Sequence, residues 1–368
     1  MVSLLVPTKN REQFLKRLLF YYSSLNFKGY ICIGDSSEGE QLALNKKHVE
    51  AFKKKINIIY KECPGLNPVQ AFSVLVKCVP TKYSAAVMDD DFIVTSGLEK
   101  GVKFLEENGD YSCVNGVTVR IYVKDDMPHG QILRCRRRIQ LEEKAENASE
   151  RYLDFMSHYD DIGFSLHRTE AFMQMYENAH NPDVVFFGEI LPAGLSVIKG
   201  KVMELDCLYL IRQIKEPKKS YRVKEQFDTY LWITNPRWNS YMIICHDTLV
   251  NELMKQDMIT HESACEVFRR GFMTHLYKRL VNEKKRQKRL EGLDVKEVDC
   301  IKLCIFNALG KYMSRCKEMC RKLKTLVCPT SKNEVSTTLQ SLLNPDSPYH
   351  KDFVPIYRAV TVTPKERA

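Results

Sequence analysis

The sequence predicts an α/β protein whose central, mostly parallel sheet is flanked by helices and followed by a C-terminal helical extension. Four short apolar segments alternate with three helical patterns within residues 2–92. Such alternation is typical of a parallel sheet that is covered by helices on both faces. Polar clusters follow three of the apolar segments, at residues 7–11, 34–40 and 89–91. Because ligands of these sheets bind beyond the carboxyl ends of the strands, the clusters mark the candidate site.

The first ninety or so residues divide into strands and helices by their apolar spacing. The predicted strands are 2–6, 30–37, 56–60 and 83–92. The predicted helices are 11–25, 48–55 and 68–78. Helix 11–25 has the spacing of an amphipathic helix, and Pro68 is suited to the first turn of helix 68–78. The strand 83–92 therefore runs directly into three consecutive aspartates.

Beyond residue 96 the pattern is looser, although residues 185–205 still indicate a helix followed by a returning strand. From about residue 247 the chain is predicted to be helical and basic, and residues 329–368 contain little to bury. The formal charge of +10 is concentrated, because residues 269–324 contain 17 Lys or Arg against 6 Asp or Glu. The basic excess therefore belongs to a C-terminal segment.

Composition excludes a membrane-spanning class and favours a reducing compartment. No apolar run approaches the ~20 residues that span a bilayer. The first residues are typical of a buried strand and not of a signal peptide, because Pro7 and basic residues end a short apolar segment. Thirteen cysteines are scattered without a tight framework, which favours free thiols in a cytoplasmic protein.

The run VMDDDFIV, residues 87–94, places three carboxylates beside one another between apolar residues. In a strand, side chains at i and i+2 point the same way, so Asp89 and Asp91 are expected to project together and Asp90 aside. Two converging carboxylates form a hard oxygen site suited to Mg²⁺ or Mn²⁺. The alternative is a solvated acidic turn. The position of the run at a strand end favours the metal.

Taken in order, PTKNR, an aspartate after the second strand and the DDD run resemble nucleotide-sugar glycosyltransferases of the GT-A fold. The family-two-like, inverting enzymes are the most similar, and the resemblance covers roughly residues 2–205. It implies transfer of a sugar from a nucleotide diphosphate donor, with UDP-sugars favoured, to a hydroxyl of a glycan or glycolipid. It also implies Mn²⁺ or Mg²⁺ as cofactor, with Asp89 and Asp91 as the D-x-D ligands.

The resemblance assigns donor contacts position by position. The loop after the first strand lies against the base and ribose in the family, Asp35 matches the residue that bonds the pyrimidine, and further contacts lie near residues 65–73. The implied donor-binding residues are Pro7, Thr8, Asn10, Arg11, Asp35, Ser36, Asn67, Gln70, Asp89 and Asp90. Phe72 and Ser73 depart from the family, which has an Arg-Asn pair there.

The general base of an inverting transfer is a carboxylate that accepts the proton of the attacking hydroxyl. The resemblance places it at the start of a helix about ten residues before a strand that begins at a glycine. Glu189 fits, with Gly200 as the glycine, and Asp161 and Asp160 are the alternatives.

Basic and imidazole groups elsewhere are candidates for acceptor or phosphate contacts. Arg134, in the basic run 134–138, and Arg168 are the two candidates for such contacts, although a solvated loop also explains the run. The histidines His158 and His167 rank below them, and His246 is weighed as a third metal ligand.

These assignments divide the chain into four parts: a nucleotide-sugar-binding half (1–95), an acceptor-binding half of the same domain (96–246), a basic helical extension (247–328) and a loosely structured tail (329–368). The basic residues of 269–324 are suited to peripheral contact with anionic lipid at the inner face of a membrane. A solvated helical cap is the alternative. Nucleic acid is not expected, because few aromatic residues lie among the basic ones.

Two other functions are weighed. A non-catalytic sugar-nucleotide-binding module is suggested by the departures at Phe72 and Ser73. A haloacid-dehalogenase-like phosphatase is disfavoured, because its D-x-D motif normally opens the fold and continues differently from the Ile93 found here.

Overall fold

A computed structural model describes residues 1–138, 142–159, 162–176, 185–214, 234–236, 239–290 and 337–362. Its strands are β1 Val2–Thr8, β2 Tyr30–Asp35, β3 Asn57–Glu62, β4 Tyr83–Ala86, β5 Phe92–Ile93, β6 Tyr111–Val123, β7 Ile132–Arg138, β8 Leu166–Arg168 and β9 Lys201–Gln213. Its helices are α1 Glu12–Ser24, α2 Gly39–Lys53, α3 Pro68–Val76, α4 Thr95–Glu107, α5 Ala148–His158, α6 Thr169–Tyr176, α7 Val185–Lys199, α8 Asn239–Asp257, α9 His261–Leu290, α10 Leu339–Leu343 and α11 His350–Thr361.

The strands form one mixed sheet in the order β3-β2-β1-β4-β8-β6-β9-β5, with β7 paired to β6. The first four strands are parallel, and Thr8 at the end of β1 is level with Asp35 at the end of β2, which is level with Glu62. The polar clusters that follow these strands therefore meet at one edge. The predicted α/β class, with a central sheet flanked by helices, is confirmed.

The apolar residues of β1 supply both faces of this sheet. Leu4 and Val6 face a core that contains α1, α4 and α11, whereas Leu5 faces a second core that contains α3 and α5–α9. This alternation is expected of a central strand that is buried on both sides. The acidic run therefore emerges from a part of the sheet that is held between two packed layers.

The fourth predicted strand ends earlier than the sequence indicates. Strand β4 stops at Ala86, and the backbone N–H of Asp91 donates to the carbonyl of Met88 at 3.0 Å, which closes a turn. Strand pairing resumes only at Phe92, in β5. The three aspartates therefore lie in a turn, where the alternation of side chains along a strand does not apply.

The expected loose tail is wrong for residues 337–362. Phe353, Ile356 and Val360 of α11 are fully buried in the first core. The backbone N–H of Gly130, in the loop before β7, donates to the carbonyl of Val360 at 2.9 Å. Apolar residues spaced three and four apart give α11 a buried face, which the polar composition of the whole segment concealed. Residues 329–336 and 363–368 lie outside the described residues.

The basic extension is also part of the core where it is described. Phe268 and Phe272 of α9 are buried in the second core, and Phe268 stacks on Tyr152 of α5 at 6.3 Å between ring centroids. Residues 291–328 of this segment lie outside the described part of the chain. None of the described helices combines the length and apolar character needed to cross a bilayer.

Candidate active site

The acidic turn, residues 88–91, lies beside the end of β1. The backbone N–H of Val87 donates to the carbonyl of Leu5, and the hydroxyl of Thr8 donates to Asp89 Oδ2 at 2.7 Å. The N–H of Ser36 donates to the carbonyl of Thr8 at 2.9 Å. Three residues predicted for donor binding, from three separate segments, are therefore brought together.

Arg11 bridges two of the three aspartates. Its Nη1 donates to Asp89 Oδ1, and its Nη2 donates to Asp90 Oδ2 at 2.6 Å. The guanidinium also lies over the ring of Phe14, 4.1 Å from its centroid. Burial disfavours the charged form of Arg11, but the attraction of Asp89 and Asp90 outweighs this effect and raises its pKa. A protein cation therefore occupies the space between these carboxylates.

Arg17 of α1 fixes the backbone of the acidic turn and was missed by sequence reasoning. It is only 1% exposed, and it donates to the carbonyl of Asp90 at 2.8 Å, to Gln213 Oε1 at 2.7 Å and to the carbonyl of Pro128. Burial lowers the pKa of Arg17 to about 10. The available signal was an arginine on the apolar face of the predicted helix 11–25, where a charge must find partners.

Asp91 points away from Asp89 and toward β9. Its Oδ1 accepts from the backbone N–H of Gln213 at 3.0 Å, and its Oδ2 accepts from Arg212 Nε at 3.2 Å. Asp91 is 2% exposed, and burial raises its pKa to about 7 despite the attraction of Arg212. The turn at residues 88–91, instead of a continued strand, is the reason that the two side chains diverge.

The predicted metal ligands therefore do not fit a shared ion. Thr8 and Arg11 bind the two oxygens of Asp89, while Asp91 is bound to β9. Within the described ranges, no group of three or more His, Cys, Asp or Glu side chains is arranged to hold a metal. Dependence on Mn²⁺ or Mg²⁺ stays a prediction.

Asp35 is held firmly at the end of β2. Its carboxylate accepts from the N–H of Ser37 at 2.8 Å, from Asn45 Nδ2 at 2.9 Å and from the hydroxyl of Tyr60 at 2.7 Å. Burial, with the hydrogen bond to Asp35, raises the pKa of Tyr60. The orientation of Asp35 is thus set before any ligand arrives, while its contact with a base stays a prediction.

The loop after β1 is fastened to the loop after β2. Asn10 has a left-handed φ of 52°, which Asn tolerates better than most residues. Its backbone N–H donates to Ser37 Oγ at 2.7 Å, and its side-chain oxygen accepts from the N–H of Glu38 at 3.0 Å. Pro7 is buried within β1, level with Gly34. The pair of loops forms one wall beside Asp35.

The segment near residues 67–73 has a structural task that the sequence reasoning did not assign. Asn67 and Gln70 form a reciprocal capping box at the start of α3, with both hydrogen bonds at 3.0 Å. Phe72 is buried in the second core, with its ring 5.6 Å from that of Tyr176. Ser73 is buried as well. The departure from the family's Arg-Asn pair therefore replaces polar groups with core residues.

Glu189 is half-buried and is the fifth residue of α7. A Cβ on the preceding Gly188 would come within 2.7 Å of the methyl groups of Val69 in α3, so this glycine lets the two helices approach. Because α3 follows β3, its first turn lies at the carboxyl edge of the sheet, and the start of α7 lies beside it. Gly200 also follows the prediction, linking α7 to β9. The alternatives Asp160 and Asp161 lie outside the described residues.

Arg168 does not lie at this edge. It is level with Tyr83, the first residue of β4, whereas the aspartates follow the last residue of that strand. Its Nη2 donates to the carbonyls of Leu105 at 2.6 Å and Asn108 at 3.2 Å, at the end of α4. Arg168 therefore binds carbonyls at a helix C-terminus, and its contact with an acceptor or a phosphate stays a prediction.

The three histidines are explained without a ligand. His167 is fully buried, which lowers its pKa to about 4, and its Nε2 lies 3.3 Å from the carbonyl of Ile162. His158 lies on the surface beside Ser157. His246 pairs with Asp247 and belongs to no metal-binding group among the residues described. Arg134, by contrast, lies exposed on β7, over the ring of Tyr122 at 3.9 Å.

Comparison with known proteins indicates the class. Residues 3–173 match the family model described as glycosyl transferase family 2. This part of the chain, which is just under half of its length, is therefore similar to the family 2 glycosyltransferases. A search of curated proteins found no significant match.

Among solved structures, the chain is similar to TarS of S. aureus. One structure, of TarS residues 1–349 in complex with UDP-GlcNAc, has 14% identity and a TM-score of 0.41, covering 78% of this chain and 91% of that chain. A longer TarS structure has 12% identity and a TM-score of 0.41, covering 75% of this chain. The chain spans only 54% of that longer TarS chain.

Proposed function

We propose that this protein transfers a sugar from a nucleotide diphosphate, with a UDP-sugar as the favoured donor, to a hydroxyl of a glycan or glycolipid with inversion. One observation carries the proposal: within the part of the chain that is similar to family 2 glycosyltransferases, Thr8, Asp35 and Asp89 come together at the carboxyl edge of the parallel strands. That edge is where such sheets bind ligands. The loops that hold these residues are fixed by internal hydrogen bonds, so the pocket is largely preformed.

In the proposed reaction, Glu189 accepts the proton of the acceptor hydroxyl while that oxygen attacks the anomeric carbon. The bond from this carbon to the donor diphosphate breaks, and the diphosphate leaves with the electron pair. Asp35 orients the base through a carboxylate that its neighbours already hold in place. Arg11, the cation at the acidic turn, is the protein group best placed to face the departing charge.

A second function is favoured by one observation. Where the family has an Arg-Asn pair, Phe72 is buried in the second core and Ser73 is buried as well. Loss of these polar groups is what a binding module without turnover would tolerate. Binding of a nucleotide sugar without hydrolysis or transfer would support this alternative.

The first experiment screens nucleotide sugars against the full chain by thermal shift, in EDTA and in Mn²⁺. A true donor raises the melting temperature by mass action, and Asp35→Asn is expected to lose most of that increase. Asp346→Asn, an exposed carboxylate in the C-terminal segment, is the matched control. If no nucleotide sugar shifts the melting temperature in either buffer, the proposed donor class is wrong. Equal shifts in EDTA and Mn²⁺ would refute the predicted cofactor requirement.

The second experiment tests the base. Glu189→Gln is expected to keep donor affinity in calorimetry and to lose transfer by ~10²-fold or more, as expected of a general base. Glu170→Gln, exposed on α6, controls for loss of a carboxylate. Near-normal turnover in Glu189→Gln would move the role to Asp160 or Asp161.

Membrane contact through residues 269–324 remains part of the proposal, together with a cytoplasmic location at the inner face. The excess of 17 basic over 6 acidic residues supports it. Sedimentation with phosphatidylglycerol vesicles, but not with phosphatidylcholine vesicles, is the expected result, and it should weaken as salt is raised. Equal sedimentation with both lipids would contradict an electrostatic contact.

A further inference from the structure

Three arginines lie side by side across three adjacent strands. Arg136 of β7 is directly opposite Arg120 of β6, and Arg120 is directly opposite Arg212 of β9. Directly opposite residues share a face of the sheet, and neighbouring strands lie about 4.8 Å apart. We call Arg136, Arg120 and Arg212 the arginine row. On the same face, Arg134 is opposite Tyr122, so the row has a further cation beside it.

The charge of the arginine row is not balanced by the residues described. Asp91 pairs with Arg212 at 3.2 Å, whereas Arg120 and Arg136 form no ion pair with any residue that the structure describes. The Nε of Arg120 is buried and has no hydrogen-bond partner in the part of the chain that the structure describes. Burial and the neighbouring Arg212 lower the pKa of Arg120. Like charges directly opposite in a sheet are destabilising, so the arrangement carries a cost that an anion would remove.

The row is built to present guanidinium groups and not merely to be solvated. Arg212 is held from one side by Asp91 and lies over the ring of Phe164, 4.3 Å from its centroid. Arg136 is exposed at the other end, on β7. A ligand can therefore approach from the β7 side and reach a fixed cation. A planar guanidinium group donates two parallel hydrogen bonds to two oxygens of one phosphate or carboxylate, which favours these two anions over others.

We propose that the arginine row binds a phosphate, or a comparable dianion, carried by the acceptor. This inference rests on the proposed transferase function, and it names the class of acceptor as anionic. The row begins at Asp91, whose carboxylate faces β9, and runs away from the side of the turn where Asp89 faces Thr8 and Arg11. The residues proposed to bind the donor and the arginine row therefore contact different aspartates of the same turn. A donor and an anionic acceptor group can be bound at the same time.

The test is calorimetry of the full chain at low salt, with inorganic pyrophosphate as the probe, without UDP and with saturating UDP. Binding is expected in both cases. Arg120→Gln and Arg136→Gln are each expected to weaken it by about tenfold or more, which is the contribution of a charged hydrogen-bonding group. Arg137→Gln is the matched control, because Arg137 lies on the same strand but on the other face, paired with Glu204. It should leave the affinity for pyrophosphate unchanged.

Two results would overturn the proposal. If saturating UDP abolishes pyrophosphate binding, the probe occupies the donor diphosphate site and the acceptor assignment is wrong. If Arg120→Gln and Arg136→Gln bind as the unaltered chain does, the row is a solvated face. Because Arg136 is exposed, its substitution should not impair folding. The melting temperature of each variant checks this. The same experiment separates failure of this inference from failure of the proposed function. If pyrophosphate binds and depends on the arginine row while no nucleotide binds, the proposed donor is wrong but the anion site stands.

Discussion

The two sides of the acidic turn balance charge in opposite ways. On the β1 side, Asp89 and Asp90 share Arg11, and nearby Asp35 accepts from three donors, one each in its own loop, in α2 and in β3. On the β9 side, Asp91 is the carboxylate that faces the arginine row. On the first side every carboxylate named here has a donor from the protein, whereas on the second side Arg120 and Arg136 have no carboxylate partner among the described residues. The difference shows which side is organised by contacts within the fold, and it is the basis for the proposed anion site.

This comparison follows from the cost of burying charge. A buried ion is tolerated only when opposite charge or hydrogen bonds replace its lost hydration. The β1 side meets that condition through residues from α1, β1 and β2, and it can be rigid before the donor binds. The β9 side meets it only in part, because Arg120 has a buried nitrogen without a partner among the residues described.

The largest expected loss of stability comes from a substitution at the base of the acidic turn. Arg17→Met should lower the free energy of unfolding by about 3 kcal/mol or more, because buried acceptors at Asp90, Gln213 and Pro128 lose their donor. Chemical denaturation measures the change. Lys16→Met, the adjacent cation of the same helix, should cost far less. Equal losses in the two variants would show that Arg17 does not hold the turn.

The second prediction concerns Asp91, the carboxylate on the β9 side. The pKa of Asp91 is raised to about 7 in the folded chain, from an ordinary value near 3.8. The folded state therefore binds more protons between these values, and the stability due to protonated Asp91 is present below pH ~4 and lost as the pH rises toward 7. Each pKa unit of difference corresponds to about 1.4 kcal/mol.

Asp91→Asn should remove this dependence. The stability of the unaltered chain relative to the variant should fall between pH 4 and pH 7 and then stay constant, as measured by denaturation at each pH. The difference for exposed Asp346→Asn should not follow that curve. A difference for Asp91→Asn that is flat with pH would contradict the burial of a titrating carboxyl.

A smaller effect tests how Asp35 is held. Tyr60→Phe removes the hydroxyl that donates to Asp35 Oδ2 at 2.7 Å and should cost about 1 kcal/mol. Donor affinity should fall with it if the orientation of Asp35 matters. Tyr30→Phe is the control on the neighbouring strand, since no hydroxyl bond of Tyr30 is found among the described residues. Identical donor affinity in both variants would indicate that Asp35 does not contact the base.

The smallest expected change in the free energy of unfolding is a gain and not a loss. Arg120→Gln should leave stability unchanged or raise it by about 0.2–1 kcal/mol at low salt, because it relieves repulsion between opposed arginines. The gain should shrink as salt screens the row. Arg137→Gln loses its pair with Glu204 and should not gain stability. A clear loss of stability in Arg120→Gln would mean that the row is already balanced within the protein.

Much of the fold could be predicted because it depends on local patterns. Apolar segments and helical spacing gave the order of the first four strands and placed a helix before Gly200 and β9. A Cβ at residue 200 would come within 2.8 Å of the carbonyl of Asp110, which explains a glycine at that junction. Helix α11 was not predicted, because the polar composition of residues 329–368 as a whole concealed the apolar face of this one helix.

The sequence predicted that several candidate residues meet at one edge of the sheet but not how their side chains are arranged, and their roles in binding stay predictions. Thr8, Asp35 and Asp89 come together as expected, because parallel strands end at a common edge. The divergence of Asp91 was not foreseen, since three consecutive aspartates are compatible with both a strand and a turn. Burial against β9 decides between them, and β9 lies more than a hundred residues away in sequence.

By itself, the sequence determined the α/β class, the edge at which the polar loops meet and the resemblance to family 2 glycosyltransferases. These features follow from periodicity and from residues that are close along the chain. Only the tertiary structure decided the partners of the charges: Arg11 between Asp89 and Asp90, Arg17 under the turn and three arginines in register on separate strands. Charge balance depends on which distant residues become neighbours, and a one-dimensional pattern does not contain that information.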